Sequence, residues 1–221
     1  MNFTLKAYEP IVGRPVVDQL RGLGEGLKNI RVVHVNSTRE GGGVAEILTW
    51  MEPLMLELGI DTRWEVITGS LAFFATTKSI HNGLQGFSVT IKKNDWDAYQ
   101  DINTENFKRL QGVLEEADIV VIHDPQPAPL LKLCTNRRGK WIWRAHIDIS
   151  RPFRPVWKTL KPFVEGYDAS IFSMAQFAQA LPHHQYIIAP SIDPLSEKNR
   201  DLKPQELQDV REEFGLDPNR P

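Results

Sequence analysis

The chain has 221 residues, 41% of them hydrophobic and 24% charged, which is enough for one large domain or two small ones with a real core. Twenty-six Lys and Arg against 28 Asp and Glu leave a formal charge of −2, without the basic excess of a dedicated nucleic-acid binder. The single cysteine, Cys134, excludes an intrachain disulfide, no apolar run approaches the ~20 residues that cross a bilayer, and the first six residues lack the apolar stretch of a secretory signal, so a soluble cytoplasmic protein is expected, with no membrane partner.

Short β-branched runs alternate with longer amphipathic stretches. Strands are predicted at residues 30–36, 62–67, 118–123, 140–146, 169–172 and 185–188. Ile119-Val120-Val121-Ile122 is apolar at every position, as in a strand buried on both faces of a parallel sheet. Helices are predicted at 44–58, 73–84, 103–116, 129–133 and 156–163. Gly59 stands where a helix-ending glycine belongs, and Pro53 is expected to kink or split the first of these helices. Strand, helix, strand, repeated, predicts an α/β doubly wound fold with six or seven mostly parallel strands and helices on both faces. Residues 1–189 are assigned to this domain. From Pro190 the chain is turn-rich and polar. A charged amphipathic helix follows at 204–214, stopped by Gly215, with Leu207, Val210 and Phe214 on its apolar side. That side either packs back on the main domain or serves a domain that follows.

Three clusters carry polar chemistry at predicted strand ends. The first runs Asn36-Ser37-Thr38-Arg39-Glu40-Gly41-Gly42-Gly43 and opens a helix. It is neither a Walker loop nor a Gly-x-Gly-x-x-Gly turn. Its glycines either let a phosphate or sugar diphosphate approach the free amides of the helix or serve only tight packing. The second is His123-Asp124-Pro125-Gln126-Pro127. Ligands of doubly wound sheets bind beyond the carboxyl ends of strands, so Asp124 and Gln126 can bind a polyol; alternatively Asp124 caps a following helix with Pro125 as its first residue. The third is Arg144-Ala145-His146-Ile147-Asp148, where Arg144, His146 and Asp148 share a face if the strand reaches Asp148. The pair His183-His184 lacks the spacing of a metal site and reads as a surface loop, while Cys134, Trp141, Trp143 and Trp157 read as core. A serine-hydrolase elbow is absent from the sequence.

Together, and in this order, the stretches His34-Val35-Asn36-Ser37-Thr38 with Gly-Gly-Gly-Val-Ala-Glu-Ile-Leu, His123 to Pro127, His146-Ile147-Asp148 and Pro190 to Asn199 resemble the glycosyltransferring trehalose synthases of glycosyltransferase family 4. The likeness runs from about Tyr8 to the end, with Ala145 where a Cys is expected. It implies the Rossmann-like N-terminal half of a GT-B glycosyltransferase, lacking the second domain that holds most nucleotide contacts. It implies retaining transfer of glucose from a nucleoside-diphosphate glucose to glucose, forming α,α-trehalose, without a metal or other cofactor. It further implies that Gly41, Gly42 and Gly43 face the donor diphosphate and that His146 contacts the donor glucose as the catalytic residue. Asn36, Asp124, Gln126, Arg144 and Asp148 would bind the acceptor sugar, and a homodimer, as in relatives, is one assembly open to the chain, the oligomeric state itself being unreadable from the sequence. The competing expectation is a non-catalytic sugar-binding or regulatory module acting through a partner protein.

Overall fold

The computed structural model describes residues 4–217. Six strands run in the order β2-β1-β3-β4-β5-β6, every neighbouring pair parallel. They are β1 (Arg31–Asn36), β2 (Asp61–Val66), β3 (Ile119–His123), β4 (Lys140–Ala145), β5 (Ala169–Phe172) and β6 (His184–Ile187). The helices are α1 (Leu5–Val12), α2 (Arg14–Glu25), α3 (Gly43–Glu57), α4 (Leu71–Leu84), α5 (Lys93–Glu116), α6 (Leu130–Leu133), α7 (Arg154–Val164) and α8 (Pro204–Phe214). The doubly wound, Rossmann-like sheet expected from the alternation of elements is present. His184 opens β6 instead of lying in a loop.

The two sheet faces are covered unequally. One face, with Val33, Val35, Val120, Ile122, Trp141 and Trp143, joins Phe73 and Leu84 of α4, Leu110 and Leu114 of α5 and Leu160 of α7 in one large cluster. Trp141, Trp143, Tyr99, Phe73 and Phe172 are its largest fully buried side chains. On the other face Val32, Ile60 and Val121 meet Met55 and Leu58, while Ala45 and Leu48 of α3 pack on Trp64. Cys134 is buried in the large cluster, and burial pushes its thiol up to about 11.

Three local features depart from the sequence pattern. α3 continues through Pro53 without splitting. α5 begins at Lys93, ten residues before the predicted start at Asn103, because Asp95 turns back to accept the Lys92 amide at 3.0 Å and closes the first turn. α1 and α2 have no counterpart among the predicted helices. In α2, Gly22 and Gly24 lower helix propensity. Gly24 is needed for close packing, since a Cβ there would stand 2.9 Å from Leu58 Cδ2.

The chain divides into two compact units, Met1–Ser191 and Ile192–Pro221. In the second, Glu206 accepts the Lys203 amide at 2.7 Å and receives a bidentate pair from Arg200 at 2.8 and 2.7 Å, which fixes the start of α8. Gly215 ends the helix with φ +60°. Leu207, Val210 and Phe214 are exposed.

Candidate functional site

The loop after β1 is held open by its own side chains. Asn36 is buried; its Oδ1 accepts from Trp64 Nε1 at 2.8 Å and its Nδ2 donates to the Thr38 carbonyl at 2.8 Å. Arg39 lies over the Trp64 ring, 4.3 Å from its centroid, and donates to the Trp64 carbonyl, tying the loop to β2. Gly41 and Gly42 then take φ +74° and +83°, a region other residues enter at a cost. A Cβ on Gly41, Gly42 or Gly43 would meet nothing within 4 Å, so tight packing does not explain the three glycines. The amides of Gly43, Val44 and Ala45 precede the first helical bond, from Glu46 N to Gly42 O, and carry the positive end of the α3 dipole.

Asp124 does not cap a helix, since α6 starts only at Leu130. It sits at φ +62°, donates its own amide to the Arg144 carbonyl at 2.9 Å, and accepts the His146 amide on Oδ1 at 2.8 Å. The carboxylate thereby pins the end of β4 to the end of β3. Burial pushes its pKa up to about 6, against the opposing pull of the His146 amide and the Arg144 guanidinium. The following segment holds Pro125, Pro127 and Pro129, which lack amide donors. Its carbonyls are instead met by side chains: Trp143 donates to Asp124, Tyr99 to Pro125, Asn103 to Gln126 and Tyr167 to Ala128. Tyr99 comes from the first turns of α5, which the sequence pattern left out, and Asn103 from the residue at which that helix was predicted to start.

β4 ends at Ala145, short of both His146 and Asp148. Arg144 is half-buried on the face it shares with His123, its register partner. Asp148 is exposed and accepts the Ser150 amide at 2.7 Å in a local turn. The expected common face of Arg144, His146 and Asp148 is therefore not formed, because the strand stops too early.

A cleft of about 410 Å³ opens at the carboxyl edge of the sheet. Asn36, Gly41, Gly42, Gly43, Asp124, Gln126 and His146 line it, joined by His81, His123 and Pro190. Three segments far apart in sequence thus converge on one site, whereas Arg144 and Asp148 are not part of its wall. Such a cleft has the size and position of a small-molecule site in an open parallel sheet.

Beneath its wall lies a feature that sequence reading missed. His34 Nδ1 is 3.0 Å from His123 Nε2, and His123 Nδ1 is 2.9 Å from His146 Nε2. The rings form a line: His123 and His146 stack with centroids 5.2 Å apart, and His34 tilts against His123 at 5.3 Å. Burial, with the Arg144 guanidinium adding to it, lowers His34 to about 4 and His146 to about 3. Burial, then the two flanking rings and Arg144, holds His123 well below its ordinary value. All three are neutral at pH 7. A sequence signal existed: His34 stands among the valines of β1, and His123 closes the apolar run of β3, both near the carboxyl ends of their strands.

A parallel sheet whose carboxyl edge gathers a glycine-opened helix N-terminus and neutral histidines around one cleft is a Rossmann-like domain of the kind that binds ligands at that edge. The family model described as "Trehalose synthase, N-terminal domain" matches residues 34–179, and the chain belongs to that family. It is 44% identical to the trehalose synthase of Thermococcus litoralis over 220 residues, covering 98% of this chain and 53% of that protein. The trehalose synthase of Pyrococcus furiosus matches with the same identity and coverage. The chain thus spans about half the length of the curated relatives it matches. Among solved structures, "Trehalose-6-phosphate from E. coli bound with UDP-2-fluoro glucose" superposes with a TM-score of 0.62 at 16% identity, covering 84% of this chain and 54% of that one. Among the described residues no helix is long and apolar enough to cross a membrane.

Proposed function

We propose that this chain is the acceptor-side domain of a retaining glycosyltransferase that moves glucose from a nucleoside-diphosphate glucose to free glucose, forming α,α-trehalose. The observation that carries this reading is the meeting of the α3 amides with Asp124, Gln126 and His146 in one cleft. An anionic donor needs the first; a polyhydroxylated sugar needs the others. The relatives' name supplies the product, and the nucleotide sugar in the E. coli structure supplies the donor class. A reducing, cytoplasmic setting suits the free buried Cys134.

In this reading the diphosphate lies against Gly41, Gly42 and Gly43, where an incoming oxygen meets amides with no Cβ in the way. His146 contacts the transferring glucose; Asp124 and Gln126 take acceptor hydroxyls. Asn36 shapes the wall, since its own polar atoms already hold Trp64 and Thr38. Arg144 acts on the site by charge from behind it, and Asp148 has no part. Retaining transfer asks the protein for positioning and for stabilisation of charge at the anomeric carbon and on the departing diphosphate. A second domain, of the kind the relatives' further length would hold, completes the cleft and grips the nucleotide.

Calorimetry of the chain against glucose, trehalose and nucleoside-diphosphate glucoses tests the binding half. Weak sugar binding without turnover is expected, with turnover restored when the relatives' second domain is added in trans or fused. Robust trehalose formation by the chain alone would overturn the division of labour, and no sugar binding at all would overturn the acceptor assignment.

A further inference from the structure

The three-histidine line has a property beyond its individual contacts. A neutral imidazole carries one N–H and one bare nitrogen. Each of the two gaps, His34 Nδ1 to His123 Nε2 and His123 Nδ1 to His146 Nε2, must hold one proton to be a hydrogen bond. Only two proton patterns satisfy both gaps: every ring protonated on Nδ1, or every ring protonated on Nε2. A mixed pattern places two protons or two lone pairs in one gap. The tautomer of His146 at the cleft is therefore tied to that of His34, whose residue is 5% exposed.

The inner end decides between the two patterns. His34 Nε2 is buried, and no described residue offers it a partner. With every ring protonated on Nε2, His34 would bury a donor that nothing accepts. With every ring protonated on Nδ1, the same position holds only a bare acceptor. Orphaned buried N–H groups are the rarer and costlier of the two.

We infer that His34 and His123 are positioning residues that lock His146 in its Nδ1–H tautomer, so that it meets an oxygen in the cleft as a neutral hydrogen-bond donor and never as a base. His146 Nε2 is occupied in accepting from His123, and Nδ1 already holds a proton. The groups facing the line from neighbouring elements agree with a donor. The Arg144 guanidinium of β4 opposes a further positive charge on any of the three rings, and Asp124 fastens the His146 backbone amide, leaving the ring to the relay. The use of that donor on a sugar rests on the sugar-transfer reading above; the tautomer lock does not.

Long-range proton–nitrogen NMR of the chain labelled with ¹⁵N on its histidine rings tests the lock, because protonated and bare ring nitrogens resonate far apart. Near pH 7.5 we expect His34, His123 and His146 all to show a protonated Nδ1 and a bare Nε2. A protonated Nε2 on His146, or an averaged mixture of tautomers, overturns the inference. Two variants of His34 separate the lock from mere packing. His34→Gln keeps an N–H donor toward His123 and is expected to leave the His146 pattern in place. His34→Met removes the donor at similar volume and turns an acceptor-only sulfur toward His123 Nε2, so His123 is expected to carry its proton there and His146 to shift toward the Nε2–H form or a mixture. Backbone amide spectra report whether each variant folds, and the wild-type pattern stands as the test if neither does. An unchanged His146 pattern in folded His34→Met overturns the coupling. A locked His146 in a chain that binds no sugar would uphold the relay while removing the proposed function.

Discussion

The two edges of the sheet use the same hydrogen bond for opposite ends. At the amino edge, Asp118 accepts the Arg31 amide at 2.9 Å and Asp168 accepts the Trp141 amide at 2.8 Å. At the carboxyl edge, Asp124 accepts the His146 amide at 2.8 Å. The first two carboxylates are held below their ordinary pKa. The Arg31 amide does most of this for Asp118; for Asp168, burial works against ionisation but is outweighed by the Trp141 amide and by Arg137 and Lys140. Asp124 moves the other way, because its surroundings are dry and only one guanidinium answers it. A cavity exists at the amino edge too, about 210 Å³ beside Arg31, Asp61, Arg63 and Glu116, but Arg31 there pairs with Glu116 at 3.0 Å and that carboxylate stands in water. One edge pairs its charges with each other; the other keeps its three histidines neutral beside a cleft and holds Asp124 closer to neutrality than an ordinary carboxylate. Perturbation toward neutrality in a concave, buried place is common at functional sites, and it falls here on the edge to which the sugar-transfer proposal assigns the site.

The largest effect expected from this contrast is on turnover. In the two-domain enzyme, His146→Ala removes one aligned donor and should lower kcat about 10²–10³-fold while changing KM for glucose less. Asp118→Asn, which alters the same kind of strand-end bond at the other edge, should leave kcat within about twofold. Steady-state kinetics of the two variants side by side decide it. Equal losses would mean that the edges differ in electrostatics without differing in function.

The sheet was legible because its strands are apolar runs bounded by turn residues, as in Ile119 to Ile122, and because the elements alternate. Its carboxyl-edge loops were legible for the same reason: glycines, prolines and polar residues cluster there. Contacts between distant segments were not. The bonds from His34 to His123 and from His123 to His146 join residues 89 and 23 apart in sequence. Singly, each looks like a histidine on a strand. Asp124 looked like a helix cap because Pro125 follows it; only the backbone at φ +62° shows that its carboxylate turns toward β4. α2 was hidden by two glycines, one of which, Gly24, is set by a distant neighbour, Leu58, just past the end of α3.

Acid should separate the edges next. A histidine whose folded pKa is lowered contributes stability fully above its unfolded value, and that stability is lost as pH falls toward the folded pKa. For His34 the window runs from 6.5 down to about 4, worth about 3 kcal/mol at full loss. Asp124 has the reverse sign: its raised pKa, near 6, favours folding at low pH and costs stability as pH rises through that value. Urea unfolding between pH 7 and 4 should therefore show a net loss that Asp124→Asn steepens. Asp118 and Asp168, held low, contribute above the ordinary carboxylate range and lose that contribution only below it. A stability curve flat from pH 7 to 4 in the Asp124→Asn chain would show that the rings are not held neutral by the fold.

The glycine loop offers a smaller and more local effect. Gly42→Ala forces a side chain to φ +83° and should cost about 1–2 kcal/mol, measured as a fall in the denaturant midpoint. Gly43 is the first residue of α3 and has an ordinary φ, with open space where a methyl would stand, so Gly43→Ala should hold stability or raise it by up to about 1 kcal/mol. Both variants should weaken nucleoside-diphosphate glucose binding, because both put a methyl where the diphosphate must approach the amides. If Gly43→Ala binds the donor as well as the parent, the loop is a turn and not a cradle.

The smallest effect is expected at Asp148, and its smallness is informative. Three alternating polar residues, Arg144, His146 and Asp148, promised one polar face if β4 had reached the third of them. The strand stops at Ala145, and Asp148 instead bends back to its own Ser150 amide at 2.7 Å. Asp148→Ala therefore removes one exposed local hydrogen bond, which should cost no more than about 0.5–1 kcal/mol. Glucose affinity by calorimetry should stay within about twofold of the parent chain, while Asp124→Ala should lose sugar binding altogether, since it frees the His146 amide and empties the wall of its carboxylate. The pair isolates position from residue type, because both are aspartates shortly beyond the carboxyl end of a central strand. A tenfold loss of glucose affinity in Asp148→Ala would place this carboxylate at the acceptor after all, and would mean that the segment from His146 to Ser150 rearranges when sugar binds.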